Sequence, residues 1–505
     1  MPNIGKNKIV LFLCSFGAVV VLALFAMSLE RKQCMGVPLI TEAELQNYSE
    51  TTELDISQLM FEKNPVAVDW PRSQIYISQS VDTLDNYFTL QGTLESENPS
   101  YELFFLKTKD MDNMKELVRE GKTLTLIIKC DASYQKVPVV ITTLPIMYLK
   151  IAGTGVDEQG RDIVNGKMTM WNSANPNSTS YQTVTSIAEW RMRGNSTRIY
   201  PKLAWKLNLR DENGQNNNVD FLGLGSDDDW ILNPMSMDDT CMKEKLVQEL
   251  WEQMITETDY NYKMSQGEYI ELFINGAYQG IYLLQRRIDT KYLGLDREKD
   301  ILMKGINTWE AESVFDAYEI VSSPVKTEET YGVLEKTLNF KENHSMNSDN
   351  FVDVSLLLQF ISGIDNYGYK NTFYALKQKN DTYELYLVPW DTDLSLGVTW
   401  GHDYEQSMGQ IIERYELPIM RKEVDNLDVQ IANRWKELRG GVYSEENILS
   451  IYKKIEQDLL CSGALKRDEE QWGFLHEGED TRESLENFVK ERLLFLDEYY
   501  ANFSE

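Results

Sequence analysis

Histidine is scarce in this chain of 505 residues: there are three, His344, His402 and His476, and none lies near another. Zinc sites built on imidazoles need ligands at short spacing, and Ser-His-Asp machinery needs a histidine base, so both chemistries have little to draw on. Cysteine is scarce as well. Of five, Cys14 lies in an apolar run, while Cys34, Cys130, Cys241 and Cys461 are spaced too widely for a metal knuckle or a disulfide framework, leaving room for one incidental disulfide. Basic charge is also short, with 50 Lys and Arg against 80 Asp and Glu, a net charge of −30. Phosphate backbones need clustered Lys and Arg, which excludes nucleic acid as a partner.

Long apolar runs are absent except for residues 9–29. That run carries no charge, follows Lys6 and Lys8, precedes Glu30, Arg31 and Lys32, and is close to the ~20 residues of a spanning helix. Ala23-Leu24-Phe25-Ala26 misses the spacing of a cleavage site. Residues 1–32 therefore read as a cytoplasmic tail and signal-anchor helix, with a cleaved signal peptide as second choice. Either way the bulk of the chain is expected outside the cytoplasm. Residues 33–63 read as a polar, acidic stalk. In residues 64–143 short alternating runs at 74–77, 87–90, 103–106, 123–128 and 137–141 are separated by turn signals. That pattern predicts a small antiparallel β-sandwich, an accessory module whose alternative role is glycan contact.

From residue 144 to the end, strands come first and helices later, predicting an α+β domain with a sheet-containing lobe and a helical lobe. The loop Arg193-Gly194-Asn195-Ser196-Thr197-Arg198 can turn backbone N–H groups and guanidinium forks toward phosphate oxygens. Lys202, Ala204 and Lys206 are expected on one face of the strand that follows. Residues 243–255 have helical periodicity, with Asp239 or Thr240 as N-cap. Asn275-Gly276 between two apolar runs predicts a β-hairpin. The acidic stretch 310–350 is weakly patterned and reads as a lid or surface excursion. Near residue 365 comes Asp365-Asn366, then Asn371, then an apolar strand ending in Pro389-Trp390-Asp391-Thr392-Asp393. Asp391 and Asp393, two apart, point the same way in an extended chain and repel unless a cation sits between them. Hard oxygen ligands suit Mg²⁺ or Ca²⁺. On an acidic protein, a nucleotide here needs that cation and a few basic side chains to overcome repulsion.

Taken in order, RGNSTR-x2-PK-x2-W-x-L-x-L, W-x-L-x5-D, the LFINGAYQGIYLL hairpin, the D-N…N run and PWDTDLSLG resemble the CotH family of spore-coat and secreted protein kinases over residues 144–505. The resemblance implies an atypical kinase-like fold that transfers the γ-phosphoryl of ATP, with Mg²⁺ or Mn²⁺, to Ser or Thr of surface or secreted proteins. By it, Asp365 matches the catalytic aspartate and Asn371 its metal-side companion. The interval is six residues where ordinary kinases have five, so Asn366 stays open as the companion. Asp391 and Asp393 match the metal pair, with Asp391 first. Arg193, Asn195 and Ser196 resemble the phosphate-side loop, and Lys202 the ATP lysine, with Lys206 as fallback. Two positions depart from the family pattern. Arg286 stands where a Glu is usual and can itself bind phosphate, and Lys243-Glu244 replaces a frequent Arg-Asn pair. The chain then supplies another acid, or it is an inactive surface scaffold or adhesin with this fold.

Overall fold

The computed structural model describes residues 33–34, 36–80, 92–152, 163–174, 181–194, 196–308, 311–398, 409, 411, 418–474 and 481–503. The anchor segment 9–29 and the run 87–90 lie outside them. Among the described residues no helix is long and apolar enough to cross a membrane.

The N-terminal module is built on an eight-stranded sheet beside a three-stranded one. The large sheet is mixed rather than antiparallel: Ser133–Thr142 pairs antiparallel with Thr123–Cys130 but parallel with Gln74–Ser78, and Val37–Ile40 runs parallel to Glu102–Leu106. Alternation reports which face is buried and says nothing of strand direction, so the sequence could not separate these arrangements. Nor is 33–63 a stalk, because it contributes strands to both sheets and buries Leu59 and Phe61. One hydrophobic cluster joins Ile75, Ile77 and Val139 of this module to Ile146, Trp171, Phe273 and Tyr278 of the following domain.

Seven strands then close a barrel, with Ile146–Ile151 pairing parallel to Gly267–Ile274 to complete the circle. Along Trp205–Arg210, Trp205, Leu207 and Leu209 are buried while Lys206, Asn208 and Arg210 are more accessible, the period-two rule in its simplest form. Gly267–Ile274 and Ala277–Arg286 form the expected hairpin, with both Asn275 and Gly276 left-handed (φ 50° and 75°), as a two-residue turn of this kind requires.

The helix Lys243–Ile255 packs outside the barrel with Met242, rather than Asp239 or Thr240, at its N-cap position, and the N–H of Lys243 donates to Asp238 Oδ2 at 2.7 Å. A five-stranded sheet follows, in which Ile301–Gly305 lies between Tyr318–Ser322 and Thr372–Lys379, and the latter pairs with Thr382–Pro389. Residues 310–350 are thus no surface excursion. They supply two strands of this sheet and the helix Thr327–Leu338, whose Leu334 is fully buried. The helices Ser348–Ile361, Leu427–Arg439, Glu445–Ser462 and Arg482–Ala501 build the C-terminal lobe on one large apolar core.

Candidate active site

Two backbone bonds bring the distant acidic motifs together. Leu396 N donates to Ile361 O at 2.7 Å, and Ile364 N donates to Leu394 O at 3.1 Å, stitching the loop after Thr382–Pro389 onto the end of Ser348–Ile361. Asn366, fully buried, adds a side-chain brace from its Nδ2 to Trp390 O at 3.0 Å. Asp365 lies in the 3₁₀ turn Ile364–Tyr369, its side chain mostly buried. Its Oδ1 accepts from Lys370 Nζ at 2.5 Å and its Oδ2 from Asn371 Nδ2 at 2.6 Å. Asn371 is therefore the amide beside Asp365, and Asn366 is the brace beneath it.

Backbone strain concentrates here. Ser362, Tyr369, Asn371, Asp391 and Leu396 all have φ between 51° and 61° without being glycine. For Tyr and Leu that region is costly, of order 1–3 kcal/mol each, and is kept only where surrounding structure enforces it. Because Asp391 is left-handed, Asp391 and Asp393 are not two residues of an extended strand, as their spacing suggests. A turn presents them, and Thr392 between them is buried and bound to Glu244, whose Oε2 accepts from Thr392 N at 3.0 Å and Thr392 Oγ1 at 2.8 Å.

Glu244 is the acid that the sequence reading did not assign. Removal from water is the chief cause that holds the carboxyls of Glu244, Asp365 and Asp393 above the ordinary carboxylate range. Repulsion from Asp391 adds to each, and Asp393 also feels Glu244 and Asp365. Asp365 is partly relieved by Lys370. A carboxyl with a raised folded pKa stabilises the folded chain at low pH, and that contribution is lost as pH rises through the raised value. The metal-free protein should therefore lose stability as pH climbs above the ordinary carboxylate range of about 4, and stabilisation by Mg²⁺ should grow over the same span as proton competition fades. Melting curves with and without Mg²⁺ across that range test this; a Mg²⁺ shift that ignores pH would contradict it.

Three cations frame the acids. Lys370 is bound to Asp365. Arg193, just past the strand Thr183–Met192, lies with its guanidinium 5.4 Å from the centre of the Trp390 ring. Lys304, missed by the sequence reading, stands on Ile301–Gly305 opposite Phe373, one residue from Gly305, whose carbonyl accepts from Asn371 N at 2.9 Å. Burial lowers the pKa of both Arg193 and Lys304, and Asp391 is the main opposing influence on each. Neither enters an ion pair among the described residues, in a protein where most buried cations do.

The other expected phosphate ligands are placed elsewhere. Lys202 precedes the strand Trp205–Arg210 rather than lying in it, and is buried in a two-pronged pair with Asp468 (2.8 and 3.0 Å). Lys206 pairs with Asp229 at 3.2 Å, an aspartate shared with Arg287 and electrostatically coupled to Arg193. Arg286 bonds Asp227 Oδ2 at 2.5 Å and Leu224 O at 3.2 Å, away from the acids. Asn195 lies outside the described residues; Ser196 opens the 3₁₀ turn Ser196–Ile199.

Among the described residues no three His, Cys, Asp or Glu side chains converge as a ready metal cage. Mg²⁺ does not require one, because it is commonly held by one or two carboxylates together with substrate phosphates. Asp391 and Asp393, coupled electrostatically to each other and to Asp365 with its Asn371 partner, and with Arg193 and Lys304 nearby, fit that donor set. The model of the CotH kinase protein family matches residues 190–496, more than half of the chain and all of this site, and the chain belongs to that family. The family is one of kinase-like proteins, which in general use ATP and a divalent metal. No curated protein matches the chain.

Proposed function

We propose that this protein is an ATP- and Mg²⁺-dependent protein kinase, anchored by residues 9–29 with its catalytic domain outside the cytoplasm, acting on Ser or Thr of surface or secreted proteins. The observation that carries the reading is the pairing of a carboxylate cluster, Asp391, Asp393 and Asp365, with two partly buried cations that have no ion-pair partner, Arg193 and Lys304. Such an arrangement suits a metal-bound polyphosphate, which carries both the cation the acids need and the anion the bases need. Mn²⁺ meets the same oxygen donors.

Asp365 would orient the acceptor hydroxyl and take its proton. Its raised pKa brings it nearer the working pH, which suits a general base, while Lys370 and Asn371 fix its plane. Asp391 and Asp393 would hold Mg²⁺, which would neutralise phosphate charge when bound. Arg193 and Lys304 would hold the phosphate oxygens, so that binding and alignment, rather than covalent chemistry, lower the barrier.

Incubating the full-length chain in detergent with γ-labelled ATP, Mg²⁺ and a mixture of protein acceptors tests the reading. Label in phosphoserine or phosphothreonine is expected; neither transfer nor ATP-dependent stabilisation would leave a surface scaffold. Lys304→Met should weaken ATP binding about 10- to 100-fold, the worth of a charged hydrogen bond to phosphate. Equal affinity for ATP in this variant and the parent would remove Lys304 from the site.

A further inference from the structure

Local bonds orient part of Asp391-Thr392-Asp393: Asp393 Oδ1 accepts from Leu394 N at 2.9 Å, and Thr392 O accepts from Ser395 Oγ at 2.6 Å. Asp391 is left-handed, so the strand before it stops guiding the chain at Pro389, and no local bond ties Thr392's own donors. That constraint comes from across the fold. Glu244, near the start of Lys243–Ile255 and buried, receives both donors of Thr392 on Oε2, at 3.0 and 2.8 Å. On Oε1 it receives the amides of Gln248 at 3.4 Å and Gln285 at 3.3 Å, so the carboxylate is fixed in turn by its own helix and by the hairpin. Gln248 and Gln285 are fully buried, and the amide oxygen of each has no partner. Burying a third carboxylate beside two others is costly, and a neutral residue would cap Thr392 more cheaply. A group retained against that cost has a task that the fold alone does not set.

We propose that Glu244 is a positioning residue that clamps Thr392 and thereby turns Asp391 and Asp393 toward one shared divalent cation. The proposal rests on the kinase reading for its purpose, but the clamp can be read without any phosphoryl transfer. A glutamine at this position would keep an oxygen for Thr392, and if the amides of Gln248 and Gln285 flip, their unpartnered oxygens would accept from its N–H groups, so it is a close neutral replacement. An alanine would release the turn.

The test is Mn²⁺ binding to the full-length chain, followed by the electron paramagnetic resonance of free Mn²⁺ in the absence of nucleotide. Glu244→Gln should bind within about threefold of the parent, whereas Glu244→Ala should bind at least about tenfold more weakly, the scale of losing a charged hydrogen-bonded clamp. Thr392→Val, which removes only the hydroxyl, should fall between them, and this variant keeps the test decisive if Glu244→Ala does not fold. ATP affinity measured without metal should be the same in all of them. Parent-like Mn²⁺ binding by Glu244→Ala or Thr392→Val would overturn the clamp. So would a loss in Glu244→Gln as large as in Glu244→Ala, since charge rather than position would then be acting. If the parent binds Mn²⁺ with this dependence but transfers no phosphoryl group, the clamp stands and the kinase reading falls. No Mn²⁺ binding by the parent overturns the clamp.

Discussion

Asp391→Ala is expected to lower phosphoryl transfer on the order of 10³-fold, the range found when a preorganised electrostatic contact to a reacting group is removed. The effect should enter through binding. Without Asp391 the remaining metal-side carboxylate is Asp393, and the stabilisation that ATP gains from Mg²⁺ should largely disappear. Asp365→Asn should lose a similar factor by another route. The amide is isosteric and still faces Lys370 and Asn371, yet it takes no proton, so Mg²⁺-ATP binding should persist while kcat collapses. The two variants are thus separated by the split between KM and kcat. In the metal-free protein Asp391→Ala relieves repulsion on ionised Glu244, Asp365 and Asp393 but removes the main opposing charge beside Arg193 and Lys304. If both variants kept transfer within about tenfold, the two aspartates would not be the catalytic pair.

The parts of this site that could be read in the sequence are those set by local rules. Asn275-Gly276 announced its hairpin, the periodicity of residues 243–255 announced the helix Lys243–Ile255, and the strand Thr382–Pro389 carried its motif to the right end of the sheet. Asp365 and Asn371 were legible as a pair through the family resemblance, which left Asn366 open; Asp365 lies in the turn Ile364–Tyr369 and Asn371 just beyond it. Glu244 was not, because its place in the acid cluster depends on a helix and a loop 148 residues apart meeting across the fold. In sequence it is one more acid in the first turn of an amphipathic helix, where acids favour the helix dipole anyway. Lys304 was hidden for a similar reason: after Ile301-Leu302-Met303 it looks like the polar end of a buried strand. Lys202 was misplaced by an element boundary. The strand begins at Trp205, so the alternation that would align Lys202 with Lys206 does not reach it.

A second large effect is expected far from the acids, at the junction of the N-terminal module with the kinase-like domain. Glu271, fully buried on the hairpin, accepts from Arg467 Nε at 3.0 Å and Nη2 at 2.9 Å, and from Tyr278 Oη at 2.6 Å. Tyr76 of the N-terminal module stacks on Tyr278, with ring centres 5.3 Å apart, and lies under the Arg467 guanidinium. Glu271→Gln would leave Arg467 buried without a counter-charge, which should cost roughly 3–5 kcal/mol. Replacing both residues by apolar ones, Glu271→Leu with Arg467→Met, should cost much less than the sum of the single changes, because no charge is then stranded. Urea unfolding of the parent, Glu271→Gln, the two single apolar variants and their double gives the comparison, and a cost below about 1 kcal/mol for Glu271→Gln would mean that water reaches the pair. The consequence extends toward the active site. The helix Ala464–Trp472 that carries Arg467 also carries Asp468, which binds Lys202 and accepts from Ile281 N at 2.7 Å. Loosening this helix should therefore unseat Lys202, four residues beyond Arg198 at the end of the loop that begins with Arg193. On this account the N-terminal module is a structural support of the kinase-like domain, and its removal should expose Phe273 and Tyr278 and lower activity without touching a single catalytic group.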